Sequence, residues 1–285
     1  MSQSIVIKGA TVVNRESQQV ADVKIENGFV VEVAKNLKGD LQLDASGCIV
    51  SSGFVDLHAH LREPGKEEAE TIETGSRAGA LGGYTALVAM PNTDPPQDSV
   101  AVIDFVREQG KRAGLVDVVP SGCITLGRQG ESLAPMAELS LAGVTLFTDD
   151  GNGVQDAALM RRALEYARGL GVTLAQHCEV TELTKGAVMN ECSCCTDLGL
   201  PGWPAIAEEL MVFRDIELVR ITGASMHFLH LSTKRSVELV RAAKRDGLPI
   251  TAEVTPHHLS LTQELLASYD SVYKVNPPLR SAEDI

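Results

Sequence analysis

Nowhere do the 285 residues of the chain carry an uninterrupted apolar run approaching the roughly 20 that cross a bilayer. The opening stretch, MSQSIVIKGATVV, has no basic segment followed by a signal-type apolar core. A soluble, cytoplasmic chain without a membrane partner is therefore expected. Basic residues are scarce, with 25 Lys and Arg against 38 Asp and Glu and a net charge of −13. A surface of that sign repels phosphate backbones and excludes a general nucleic-acid binder, yet it still permits a small anion held by one or two local arginines. The six cysteines, at positions 48, 123, 178, 192, 194 and 195, lack the spacing of a secreted disulfide scaffold. Free thiols are expected for them. Cys192 and Cys195 have C-x-x-C spacing, but no second pair of ligands lies nearby to complete a structural zinc. There is no phosphate-cradling G-x-x-x-x-G-K-[ST], and Gly82-Gly83 and Gly127 read as chain reversals.

What is present begins with a core-forming composition, 44% apolar, and a change of pattern near residue 53. Before it, β-branched pieces (Ile5–Ile7, Thr11–Val13) lead to two runs around Asn27-Gly28, a hairpin signal because a type I′ turn needs φ > 0 at both central residues. Residues 1–52 are expected to form a small β-sandwich unit, bounded by Ser51-Ser52-Gly53. After it, strand and helix patterns alternate. Strand candidates start near Val55, Thr85, Leu115, Val144, Val172, Ser225 and Leu248. Helical patterns cover Glu68–Leu81, Val100–Arg112, Asp156–Gly169, Ile206–Ile221 and Lys234–Asp246. An insertion with Cys192–Cys195 and Pro201-Gly202-Trp203-Pro204 separates the fifth and sixth strands. Continuous apolar strands such as Ala86–Met90 suit a parallel sheet covered by helices. Seven βα repeats predict an α/β fold of the (β/α)₈ TIM-like barrel type over residues 53–285. Seven strands are used by about residue 257, which leaves no room for an eighth. The expectation is a piece of a longer protein, stopping before strand eight, because an unclosed barrel leaves two strand edges unpaired.

The strand ends carry the chemistry. In Val55-Asp56-Leu57-His58-Ala59-His60, residues two apart share a side, so His58 and His60 present two imidazoles at the end that forms a barrel's active face. Paired neutral imidazoles on rigid backbone suit Zn²⁺ or a similar metal. The fourth strand ends in Asp149-Asp150, the fifth in His177 and the sixth in His227 and His230. Such selective placement predicts a convergent metal cluster. His230 has the parity of Met226 and Phe228; His227 has the opposite parity and is expected to pack outside or to be hydrogen-bonded. Spacing alone does not separate Asp149 from Asp150. His257 and His258, after strand seven, are expected to line the mouth or to be exposed.

These motifs carry a resemblance. His58-Ala59-His60-Leu61-Arg62-Glu63-Pro64-Gly65, Met90-Pro91-Asn92-Thr93, Thr148-Asp149-Asp150-Gly151, His177-Cys178-Glu179, His230-Leu231-Ser232 and Asn276-Pro277-Pro278-Leu279-Arg280 resemble the amidohydrolase superfamily, and within it the bacterial class I dihydroorotases. The resemblance implies two zinc ions per subunit, one held by His58 and His60 and the other by His177 and His230. It makes Asp150 the carboxylate between them. It assigns Arg62, Asn92 and Asn276 to the carboxylate of the substrate. The implied activity is the reversible, zinc-dependent opening of dihydroorotate to N-carbamoyl-aspartate in pyrimidine synthesis, with a homodimer or an aspartate carbamoyltransferase as associations to consider. The family's acid–base aspartate belongs at the end of strand eight, so no catalytic proton shuttle is expected within these residues. Two alternatives remain. A hydantoinase or allantoinase would carry a carboxylated lysine at the end of strand four, where residues 143–151 hold none. A non-catalytic subunit of a carbamoyltransferase would have lost ligands that are all present here.

Overall fold

The structure, a computed structural model, describes residues 3–285 and divides into two compact units at Phe54/Val55. In the first, β1 (Ile5–Val13), β2 (Gln18–Glu26), β3 (Phe29–Ala34), β4 (Leu41–Asp44) and β5 (Ile49–Val50) form a single sheet, where a sandwich would need two. Its order is β3-β2-β1-β4, with β5 also on β1; the first three strands pair antiparallel, while β4 and β5 run parallel to β1. Asn27 and Gly28 turn between β2 and β3 with φ of 53° and 80°, as a type I′ turn requires.

The second unit alternates strand and helix. In chain order it comprises β6 (Phe54–Ala59, beginning at the boundary), α1 (Ile72–Leu81), β7 (Tyr84–Ala89), α2 (Val100–Ala113), β8 (Asp117–Pro120), α3 (Met136–Leu141), β9 (Leu146–Thr148), α4 (Ala157–Leu170) and β10 (Thr173–Gln176). The insertion follows as α5 (Thr181–Thr184), β11 (Met189–Asn190), α6 (Ser193–Leu198) and β12 (Gly202–Trp203). The alternation resumes with α7 (Ile206–Thr222), β13 (Ser225–Phe228), α8 (Lys234–Arg245) and β14 (Ile250–Ala252). The barrel strands stand in chain order: β6-β7-β8 make one ladder and β9-β10-β13-β14 another. A parallel bridge between Gly122 and Phe147 joins the two. Among the described residues no backbone ladder joins β14 to β6.

Local chemistry sets the helix ends. The helical pattern extends back to Glu68, but a capping box between Thr71 and Thr74 starts α1 at Ile72 instead. Asp156 accepts from Leu159 N at the start of α4, and Gly171 closes that helix in the left-handed region. The apolar faces of α4, α7 and α8 cover β9, β10, β13 and β14, burying Phe147, Leu164, Leu174, Val212 and Phe228 completely. The strands are thereby fixed as a rigid wall whose C-terminal ends can hold side chains in place.

The insertion departs from expectation. Cys192 and Cys194 are joined in a disulfide rather than left as free thiols. Cys192 caps α6, and the tight entry into that helix brings the two Cα atoms to 5.1 Å, within disulfide reach. Cys48, Cys123, Cys178 and Cys195 remain free.

Candidate metal centre

Five side chains from four strand ends converge. His58 is the last but one residue of β6 and His60 follows the strand, both on the same side. Asp150 follows β9, His177 follows β10 directly, and His230 lies two residues past β13. Asp150 stands between the two histidine pairs. Its Oδ2 is 3.3 Å from His58 Nε2 and 3.4 Å from His60 Nε2. Its Oδ1 is 3.4 Å from His230 Nε2 and 3.7 Å from His177 Nδ1. Within the pairs, His58 Nε2 and His60 Nε2 are 3.3 Å apart, and His177 Nδ1 and His230 Nε2 are 3.0 Å apart. The result is two three-membered groups that share one carboxylate, each with its potential ligand atoms within 4.8 Å of one another.

The outward ring nitrogens test whether a metal fits. His58 Nδ1 is 2.6 Å from Glu253 Oε1, His177 Nε2 is 2.8 Å from Glu179 Oε2, and His60 Nδ1 is 3.1 Å from Asn92 Oδ1. These oxygens accept, so the ring nitrogens facing them donate, and in a neutral ring the other nitrogen carries a lone pair. Lone pairs and a carboxylate aimed at one point repel each other unless a cation lies among them. Ligand atoms about 2.0–2.1 Å from a tetrahedral zinc stand roughly 3.3 Å apart, which is the spacing of the first group. The donor set of imidazoles and one bridging carboxylate suits that ion.

The rings and carboxylates also set one another's protonation. Burial opposes charge on His58, but the Asp150 and Glu253 carboxylates outweigh it and raise the ring to about 10. Burial holds His60 down to about 4, against the pull of Asp150 and with the help of charge on His58 and Arg62. In the other pair, burial is again outweighed at His177, which Asp150 and Glu179 raise to about 9. His230 is lowered by burial, with the charge of His177 adding to it. Burial also works against the Asp150 carboxylate, yet bonds from His177, His230 and His58 hold it well below its usual range. In each pair, then, one ring is raised and the other lowered.

A cavity of about 780 Å³ lies over this cluster, and all eight sequence-predicted residues line it: His58, His60, Asp150, His177, His230, Arg62, Asn92 and Asn276. Asn92 turns its amide oxygen to His60, which leaves its NH₂ for a ligand. Gly65, three residues after Arg62, has φ of 93°, and a Cβ there would stand 2.1 Å from Asp94 O. The R-E-P-G turn and the P-N-T-D turn can lie against each other only with glycine at that position.

Other residues fall elsewhere. Asp149 is turned into the wall, where Oδ1 accepts from Ile124 N at 2.8 Å and Thr125 N at 3.0 Å, and Oδ2 accepts from Thr125 Oγ1. His227 is hydrogen-bonded, as expected, to Thr251 Oγ1 and Glu253 Oε2. The parity rule for His230 does not hold, because Met226 and Phe228 face the helix-covered core. His230 reaches the mouth because β13 has already ended and its own φ is +32°. His257 lines the cavity. His258, in contrast, is buried; its Nδ1 meets Thr255 Oγ1 at 2.6 Å and its Nε2 lies 3.1 Å from Pro277 O. Burial, with His257 beside it, lowers that ring to about 4. It therefore pins the Asn276-Pro277 segment as a neutral ring. Arg280 is also buried, with Nε 3.0 Å from Ser232 Oγ and Nη1 2.6 Å from Asn190 Oδ1. Sequence reading gives no supporting role to Glu253, nor to Glu179, His258 and Arg280, which it names only in or beside the motifs. Glu253 and Glu179 carry a usable signal, acidic residues at the ends of strands seven and five.

A family profile described as Dihydro-orotase-like matches residues 47–236. A dihydroorotase of Streptomyces coelicolor is 49% identical over 289 residues, covering 100% of this chain and 67% of that protein. A dihydroorotase of Mycobacterium tuberculosis is 50% identical over 287 residues, covering 99% of this chain and 66% of that protein. The chain thus spans about two thirds of the length of these curated relatives. Among solved structures, an L-hydantoinase (dihydropyrimidinase) from Arthrobacter aurescens matches with a TM-score of 0.83 at 21% identity, over 99% of this chain and 65% of that one. A dihydropyrimidinase from Brevibacillus agri matches with a TM-score of 0.80 at 22% identity, over 99% of this chain and 64% of that one. Likeness at that identity speaks for the α/β barrel fold.

Proposed function

Because the chain belongs to the dihydro-orotase-like family, we propose that it performs the metal-dependent, reversible hydrolysis of dihydroorotate to N-carbamoyl-aspartate. The observation that carries this reading is Asp150 offering one oxygen to each histidine pair, inside a cavity that also holds Arg62, Asn92 and Asn276. His58, His60 and Asp150 would hold one cation, and Asp150, His177 and His230 a second, with zinc the ion the donor set favours. Bound there, such ions would supply a hydroxide at neutral pH and a means of polarising the amide carbonyl.

The remaining work belongs to the side chains. The Arg62 guanidinium pairs with the substrate carboxylate, and the Asn92 and Asn276 amides complete its cradle. That clamp fixes the ring so that its amide carbonyl faces the metal cluster. Asp150, with an oxygen toward each pair, keeps the two pairs in register. We assign proton transfer to the leaving nitrogen to the aspartate that the resemblance places after an eighth strand, outside residues 1–285. On the same reading the β unit of residues 1–52 is a domain apart from the barrel of residues 53–285, the protein works in the cytoplasm, and a homodimer or an aspartate carbamoyltransferase is the association to look for.

Metal analysis of the purified chain, followed by assays with dihydroorotate and hydantoin side by side on a protein that also carries the assigned aspartate, tests the reading. Metal bound by the chain and dihydroorotate opening by that longer protein are expected. Preference for hydantoin would favour a hydantoinase-like enzyme, which the structural likeness also accommodates. A chain free of metal would favour a supporting subunit.

A further inference from the structure

Two of the inward nitrogens are of opposite kind. His58 turns Nε2 to Asp150 and Nδ1 outward; His177 turns Nδ1 inward and Nε2 outward. To offer lone pairs to the centre, the two rings must carry opposite tautomers, and an imidazole has no intrinsic means of choosing differently at two places. The partner of the outward nitrogen decides. We propose that Glu253 and Glu179 are the positioning residues of the metal centre, one for each histidine pair: each takes the outward N–H of one ring and so aims that ring's lone pair at the site.

The surroundings of the two carboxylates fit this role. Glu253 follows β14 and is itself oriented: His227 Nε2 lies 3.1 Å from Oε2, and His230 N donates to Oε1 at 3.3 Å. His227 is anchored in turn at 2.7 Å to Thr251 Oγ1. The chain Thr251–His227–Glu253–His58 thus runs across the ends of the seventh, sixth and first strands. Glu179 is held by the Thr184 hydroxyl on α5. Neither glutamate lies among the atoms grouped around Asp150. Both act through a histidine. Outer-shell partners of this kind typically carry a tenfold or larger effect on metal affinity.

The inference rests on the metal-holding part of the proposed function and not on the identity of the substrate. Its test is metal binding by the chain and by the variants Glu253→Leu, Glu179→Leu, Glu253→Gln and Glu179→Gln, measured by competition with a chromophoric chelator for Zn²⁺. Each Leu variant is expected to lose roughly 10–100-fold in affinity for one equivalent while the other stays nearer the parent's value. Each Gln variant, which keeps an acceptor, should recover part of that loss. In the Co²⁺-substituted chain, proton NMR should show one exchangeable imidazole N–H shifted by the change at 253 and a different one by the change at 179. If a Leu variant does not fold, the Gln variant at that position still has to show its shifted resonance. Unaltered affinity and unaltered resonances in folded variants overturn the proposal. A parent chain that binds no divalent metal overturns the site reading itself, whereas the expected losses at both glutamates, with no dihydroorotate turnover by a protein that also carries the assigned aspartate, overturn only the substrate.

Discussion

Asp149 and Asp150 are neighbours in sequence whose carboxylates serve different parts of the fold. Asp150 faces four imidazoles, while Asp149 accepts two backbone N–H bonds and a hydroxyl from Ile124 and Thr125. Their alanine variants should therefore fail differently. Asp150→Ala should lose metal and turnover with a modest change in melting temperature. Asp149→Ala should keep its metal but lose stability, roughly 1–3 kcal/mol for each buried donor left unpaired. Metal content and thermal melts measured on both variants check this, and equal metal loss would mean that both carboxylates serve the centre.

Arg62→Met tests the anion clamp. Removal of a charge-assisted pair costs roughly 1.5–3 kcal/mol, so in a protein that also carries the assigned aspartate KM for dihydroorotate should rise about ten- to a hundredfold with metal content unchanged. An unchanged KM would take Arg62 out of the carboxylate site.

Gly65→Ala would place a methyl group 2.1 Å from Asp94 O at a φ of 93°. The turns bearing Arg62 and Asn92 would have to part. Destabilisation of roughly 1–3 kcal/mol is expected, together with a raised KM. A melting curve that overlays the parent's would show that the turns separate freely.

Metal affinity should depend on pH with a definite sign. His58 and His177 are raised to about 10 and about 9, so both carry protons at neutral pH and give them up to a metal. Affinity should climb by about tenfold per pH unit for each proton released. The climb should level off as pH passes the value of each ring, that of His177 first. Calorimetry in buffers of different ionisation enthalpy would count the protons. Affinity flat from weakly acid to weakly alkaline pH would contradict the assignment.

Much of this was readable from the chain. Apolar strands with regular spacing predicted the wall, because a parallel strand buried on both faces has few other ways to be written. The rule that strand ends face one mouth gathered the histidines. It could not separate Asp149 from Asp150, since that choice depends on N–H donors from a segment some 25 residues earlier. Parity singles out His230, yet it joins the cluster around Asp150 by another route, because β13 ends before it. Glu253 obeys the same strand-end rule as the ligands, but the His257-His258 pair beside it is the louder signal. The Cys192–Cys194 bond was illegible because it follows from the turn into α6 and not from cysteine spacing.

The hydrogen bond between Glu253 and His58 ties the end of the seventh strand to the end of the first, two elements far apart in sequence. Movement of either strand end is therefore felt at a ring belonging to the candidate metal centre. Occupancy of that centre would then serve as a gauge of the wall's integrity, and a bound cation as the tie that stiffens it.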